Sequence, residues 1–489
     1  MPRSYQKSSE EFADQWIRPN DIFSVLLILG GDVIQLACAA MAGGTSIPPN
    51  PVTFSFGWVA YAVSALLSAI GENRLITCQP EVPLLVINLD SGYRRSNRSW
   101  LLGRLVKTYE YWMPDEVRDK VNPSAQKRRG DTEQNHDPTP PVLTSAGHLS
   151  ALCIAVYEWR EDLEAAAPRR DLAWWSGYFV SLIQLVVAVI PLSLFGDWAI
   201  LLATVAGTIL SYSSASLPQW REEKWKARKS NKAKPVALTE GNGALHVIII
   251  NGIENMPDNS LETKLNGDIV NKPIDGVKDM LDLEDLAAGR ASVMPSTRYL
   301  TLALSILWLV LLVTCTGIQS HTWYLLAVGG IGILHNIIVA AVPRQPEAMG
   351  IPIRLKETKS SGKEIYAEFK VMWSLMELES KHKGWGKALR DEFFPGQLRE
   401  DEKTWWDCDA ERGKDTRKTI LDKLRADYKS GKKGGSEQQG TGGGKDRGRR
   451  EDEGKERKSG EARGLAQASQ VHPSCLNEIP LVATGQAAL

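Results

Sequence analysis

Apolar residues gather along this chain in paired blocks, with polar stretches between them. The central pair fills 174–217: WWSGYFVSLIQLVVAVIPLSLFG, a lone Asp197, then WAILLATVAGTILSYSSASL. About 20 apolar helical residues cross a bilayer core of roughly 30 Å, so each half predicts a span. Similar pairs occupy 22–71 and 299–342. The pattern therefore predicts a membrane all-α bundle of six transmembrane helices in three hairpins. Residues 1–20 are polar and include Glu10, Glu11 and Asp14; the first apolar block is expected to be a retained span rather than a signal peptide.

The polar blocks carry their own signals. Residues 83–89 are rich in Leu, Val and Ile and precede Asp90-Ser91-Gly92, which predicts a strand and a turn; 244–251, ALHVIIIN, predicts a second strand between turn residues. Helical spacing predicts helices over 96–112, 145–166, 364–381 and 415–428. Residues 121–141 read as a linker. Residues 431–465 are Gly, Lys, Arg, Glu and Asp with almost no apolar residue, which predicts disorder. The expected order is a cytosolic N-terminus (1–21), hairpin 1 (22–71), a cytosolic loop with strand and helices (72–173), hairpin 2 (174–217), a cytosolic loop with a strand (218–298), hairpin 3 (299–342), a cytosolic helical region (343–430) and a disordered tail (431–489). The two strands are expected to join one small α+β cytosolic portion assembled from the loops.

Charge fixes the expected orientation. The 489 residues carry 58 Lys+Arg and 58 Asp+Glu, so no global field argues for nucleic acid, and none is expected as a partner. The short connections 44–53, 196–197 and 319–321 contain no Lys or Arg, whereas every long block does. Positive charge stays cytosolic, which predicts both termini in the cytosol and no glycosylation at the Asn97-Arg98-Ser99 sequon. The basic run after the central pair includes Lys224, Lys226, Arg228 and Lys229, candidates for contact with anionic lipid headgroups.

Candidate chemistry is sparse. The 6 cysteines and 7 histidines are scattered, with no metal-ligand spacing; no metal, cofactor or catalytic constellation is expected, and no enzyme activity. Five polar residues fall inside apolar blocks: Asp32 and Gln35 one turn apart, Gln184, and the adjacent His335 and Asn336. Intramembrane polar groups mark ion or proton paths, or interhelical hydrogen bonds; the second reading is preferred. The four-residue rows Ala60, Ser64, Ser68 and Ala203, Gly207, Ser211, Ala215 predict close helix–helix seams.

Several phrases resemble a family of uncharacterised multi-pass integral membrane proteins of filamentous fungi: Phe56-Gly57-Trp58-Val59-Ala60-Tyr61, Gly71-Glu72-Asn73-Arg74, Asn97-Arg98-Ser99-Trp100, Gly241-Asn242-Gly243 with His246, Leu281-Asp282-Leu283-Glu284 and Phe393-Phe394-Pro395-Gly396. The resemblance spans roughly 20–410. It implies the multi-pass architecture and no activity. The functional expectation is a membrane scaffold or regulatory protein presenting cytosolic blocks to a protein partner. The alternative is a transporter or channel using the five intramembrane polar residues.

Overall fold

The computed structural model describes residues 30–43, 49–71, 74–122, 150–230, 234–252, 264–265, 268–269, 280–290, 295–318, 320–358, 362–408 and 414–437. The chain forms two compact units, 1–423 and 424–489; the first contains both the helix bundle and the sheet. The expectations for 1–21, for the 22–29 start of the first span, for the 123–149 part of the linker and its flank, and for the tail beyond Glu437 fall outside the described residues; the helix expected over 415–428 runs from Lys414 to Glu437, so 431–437, expected in the disordered tail, are helical.

Helices build the bundle and flank the sheet. Those that bear on the site are, in chain order, α1 (Gly31–Met41), α2 (Gly57–Gly71), α3 (Trp100–Lys107), α4 (Leu172–Phe195), α5 (Ala199–Ala215), α6 (Pro218–Lys224), α7 (Pro295–Thr316), α8 (Thr322–Ala341), α9 (Val371–Lys381) and α10 (Trp385–Phe393). Four apolar helices are long enough to cross a membrane: α4, α5 continued through α6, α7 and α8. Their outer surfaces stay apolar. Phe179, Val186, Ile209, Ile306, Val313 and Ile338 are all more than half exposed, a girdle that water would not tolerate and lipid would. Gly196, in the left-handed region at φ 72°, ends α4, and Asp197 then accepts from the Ala199 N–H to start α5.

The first apolar block departs from the expected hairpin. The second arm, expected over 54–70, is a helix of only 15 residues, about 22 Å long and short of a bilayer core. Ahead of it, residues 49–55 form neither helix nor strand, with Val52 N–H bonded back to the Asn50 carbonyl, and residues 50–59 are buried. Charge predicts the 44–53 connection opposite the basic blocks. Its described end lies instead with the basic end of the bundle: Asn50 donates from its backbone N–H to Ser216 Oγ and from Nδ2 to the Ala215 carbonyl. Pro49 and Pro51 break any helix there, so an apolar run that looks long enough to span becomes part irregular chain and part helix.

The soluble part is built on a seven-stranded sheet. Its strands are β1 (Leu85–Asn88), β2 (Arg94–Ser96), β3 (Leu152–Trp159), β4 (Val236–Thr239), β5 (His246–Asn251), β6 (Ile353–Leu355) and β7 (Ile365–Glu368). The order is β2–β1–β4–β5–β3, with β6 and β7 pairing successive parts of the far edge of β3. Only β3 and β5 are parallel, with Ile154 opposite Val247. The expected strands at 83–89 and 244–251 thus share one sheet, separated by β4. The helix expected over 145–166 is instead the strand β3, and the helix expected from 364 begins at Val371 after β7.

The reason for the first difference is burial on both faces. Cys153, Ala155 and Tyr157 join the core that continues into the bundle. Leu152, Ile154 and Val156 pack with α9 and α10 through Leu375, Leu378, Leu389 and Phe393. A strand covered on both sides shows no alternation.

Candidate functional site

Two places bring together chemistry that the sequence scatters: the interior of the bundle and the junction between bundle and sheet. In the interior, residues 49–56 thread between α4, α5, α7 and α8. Backbone outside a helix carries unpaired carbonyls and N–H groups, which a membrane protein must satisfy internally. Thr53 and Asn336 do so reciprocally. Asn336 Nδ2 donates to the Thr53 carbonyl at 3.0 Å, and the Thr53 hydroxyl lies 3.0 Å from Asn336 Oδ1. That carbonyl also accepts from Trp58 Nε1. Gln184 Nε2 donates to the Phe54 carbonyl at 2.8 Å and to the Val328 carbonyl at 2.7 Å, while its buried Oε1 has no partner.

His335 closes the cluster, with Nδ1 3.3 Å from the Thr53 hydroxyl and Nε2 2.9 Å from Ser176 Oγ. Ser176 donates to the Ala173 carbonyl, so His335 Nε2 is the donor toward Ser176.

Glycines make room for this segment. A Cβ on Gly332 would collide with the Phe54 carbonyl, one on Gly177 with the Pro51 carbonyl, one on Gly207 with the Phe54 ring and one on Gly329 with the Phe56 ring. The row containing Gly207, expected as a helix–helix seam, here seats the Phe54 ring of an irregular segment. Phe54 stacks on Trp308 at 6.2 Å, and Trp308 on Trp58 at 5.5 Å. The void beside Tyr61, Ala65, Ser214 and Trp308 is about 20 Å³, room for one water.

Of the five intramembrane polar residues, Gln184, His335 and Asn336 therefore converge, and their hydrogen bonds serve the backbone and hydroxyl of 53–54. Asp32 and Gln35 do not join them. Asp32 is exposed, and Gln35 Nε2 donates to the Leu75 carbonyl and Thr77 Oγ1.

At the junction, buried cations cap helix ends, where the carbonyls lack intrahelical partners. Arg104 donates to the carbonyls of Ala340, Ala341 and Val342 at the end of α8 and pairs with Glu81 at 2.9 Å. Arg344 donates to the Ala40 carbonyl of α1 and makes a two-pronged pair with Asp171 at 2.7 and 2.8 Å. Asp171 in turn caps the N-terminus of α4. Lys224 donates to the Ala40 and Ala42 carbonyls and lies 4.8 Å above the Trp225 ring. The Glu223 carboxylate accepts the backbone N–H groups of Leu75 and Ile76.

The four candidates for headgroup contact thus divide. Lys224 is buried in this capping role. Lys226 lines a cavity beside it. Arg228 and Lys229 reach outward, and they pair with Asp285 at 3.6 Å and Glu164 at 3.9 Å.

Sequence reasoning missed the rest of that cavity. It measures about 310 Å³ and brings Arg74, Arg98 and Arg290 together with Lys226. These arginines sit in three loops, so no local spacing announces them. Among the described residues, no group of three His, Cys, Asp or Glu side chains is placed to hold a metal ion. No known family model matches the chain, and neither a curated protein nor a solved structure is similar to it.

Proposed function

We propose that this protein is a membrane-embedded scaffold: a helix bundle that holds a mixed sheet at one membrane face and presents it to a soluble protein partner. The observation that carries this reading is the capping of α1 and α8 by Arg104, Arg344 and Lys224. Those cations come from the polar blocks, and they join bundle and sheet layer into one body with a continuous core. Residues 49–56 fill the bundle centre, and the polar side chains there already serve that segment, which argues against a conduit.

In this reading the sheet faces the cytosol. The far-end connections around Asp197 and Ser320 lack Lys and Arg, whereas the sheet end is rich in both. Four spans return the chain to the side it left, which keeps 343–489 cytosolic with the sheet. The described parts of the first block, 30–43 and 49–71, then form a re-entrant half-span region rather than a hairpin crossing twice.

Proximity labelling from a ligase fused after residue 489 tests the function. A reproducible set of cytosolic proteins, lost when the sheet is destabilised by Ile249→Asp, supports it. No enriched partner, together with an ion current or solute uptake abolished by Asn336→Leu, would replace it with transport.

A further inference from the structure

The cavity at the junction has the composition of an anion site. Arg74, Arg98, Lys226 and Arg290 surround it, and Lys224 and Glu223 complete its wall. Five basic side chains line it against the single carboxylate of Glu223, so the cavity keeps an excess of positive charge. Part of that charge is fixed in place: Arg74 donates to the Gly289 carbonyl at 2.6 Å, and Arg290 is steered by Asp285 at 3.2 Å.

Thr77 and Ser99 also line the cavity, as does Trp100, which is 5% exposed and whose buried indole N–H has no hydrogen-bond partner. A volume of about 310 Å³ lies at the small end of the range for ligand pockets. Guanidinium groups supply paired N–H donors that match phosphate oxygens. The cavity borders α6, which continues the second span, a level at which basic pockets meet lipid headgroups.

We propose that this cavity binds a phosphate monoester, carried either on the headgroup of a membrane lipid or on a soluble sugar phosphate. It rests on the scaffold reading only for the side of the membrane it faces. Arg98, Lys226 and Arg290 are the contact residues. Arg74 and Lys224 also hold backbone carbonyls, so they shape the wall.

The test uses the full chain in phosphatidylcholine nanodiscs. Two probes separate the sources: nanodiscs containing a phosphatidylinositol phosphate, and inositol trisphosphate added in solution. Arg98→Gln combined with Lys226→Gln is expected to weaken binding about tenfold, equivalent to about 1.4 kcal/mol. Arg170→Gln, an exposed cation outside the cavity, is expected to leave it within about twofold, as is usual for a screened surface charge. Arg290→Gln is the second variant should the pair fail to fold.

Binding of the lipid alone, or of both probes, supports a headgroup site; binding of the soluble probe alone supports a sugar-phosphate site. Equal loss in Arg170→Gln, or equal affinity for phosphatidylserine nanodiscs, would overturn the proposal in favour of diffuse surface charge, as would no binding of either probe. Proximity labelling with the same variants separates this outcome from the scaffold's own, because partner capture is expected to survive the loss of the anion.

Discussion

Asn336 and Thr53 exchange two hydrogen bonds across the bundle centre, each at 3.0 Å and both fully buried. This pairing gives the non-helical segment a hydrogen-bond partner that a helix would otherwise supply internally. Asn336→Leu and Thr53→Val are each expected to destabilise the protein by about 1–3 kcal/mol, the usual range when a buried polar partner is orphaned. Removing both is expected to lose less than the sum. Unfolding midpoints in detergent measure the coupling; strict additivity would mean that the two side chains act independently.

Neighbouring glycines on α8 give a sharper contrast. A Cβ on Gly332 meets the Phe54 carbonyl, whereas one on Gly330 meets nothing within 4 Å. Gly332→Ala is expected to cost about 1–3 kcal/mol through overpacking. Gly330→Ala is expected to be neutral or to stabilise by up to about 1 kcal/mol through helix propensity. Thermal melts of the two variants side by side decide it, and equal shifts would deny the close approach.

The junction is expected to depend on its buried cations. Arg344→Leu leaves Asp171 without its cation beside the start of α4 and leaves the Ala40 carbonyl with Lys224 as its donor. A loss of about 3 kcal/mol is expected from breaking a largely buried pair on one side. Limited proteolysis is expected to cut between α8 and β6 in the variant before it does so in the parent chain.

Acid sensitivity has a defined source in the sheet layer. Burial pushes the Glu364 carboxyl up, but hydrogen bonds from His382 Nε2 and the Thr358 hydroxyl, with Lys356 nearby, hold it below its ordinary value. A carboxylate held low in the folded state adds stability that is fully present above its unfolded pKa of about 4.3. That stability is lost as pH falls through the lower folded value. Glu364→Gln is expected to reduce stability at neutral pH and to flatten its decline below about pH 4.3. An unchanged acid limb would assign that decline to other carboxylates.

The four long apolar helices are legible in the sequence because α4, α5, α7 and α8 keep their apolar runs unbroken. The strands β1 and β5 are legible too, because flanking turn residues bound them. Gln184, His335 and Asn336 stand out as polar groups in apolar runs, but what they hold does not. Residues 49–56 carry no charge and lead into an apolar helix, so they resemble a loop followed by a span. The path of that stretch is set by glycines on other helices, a relationship no local window contains. The strand β3 reads as helix because both of its faces are covered. Arg74, Arg98 and Arg290 meet only through the fold, so their separation in sequence hides the cavity.

The proposed topology places the sheet on the cytosolic side, with the Asp197 and Ser320 connections on the other, and the scaffold reading stands on that placement. Single cysteines at Ser91, in the turn between β1 and β2, and at Ser320 report it, in a chain whose 6 native cysteines are replaced. Both positions are exposed. In intact cells, a membrane-impermeant thiol reagent is expected to modify the Ser320→Cys chain and to spare Ser91→Cys until the membrane is permeabilised. Labelling of Ser91→Cys in intact cells would contradict the account.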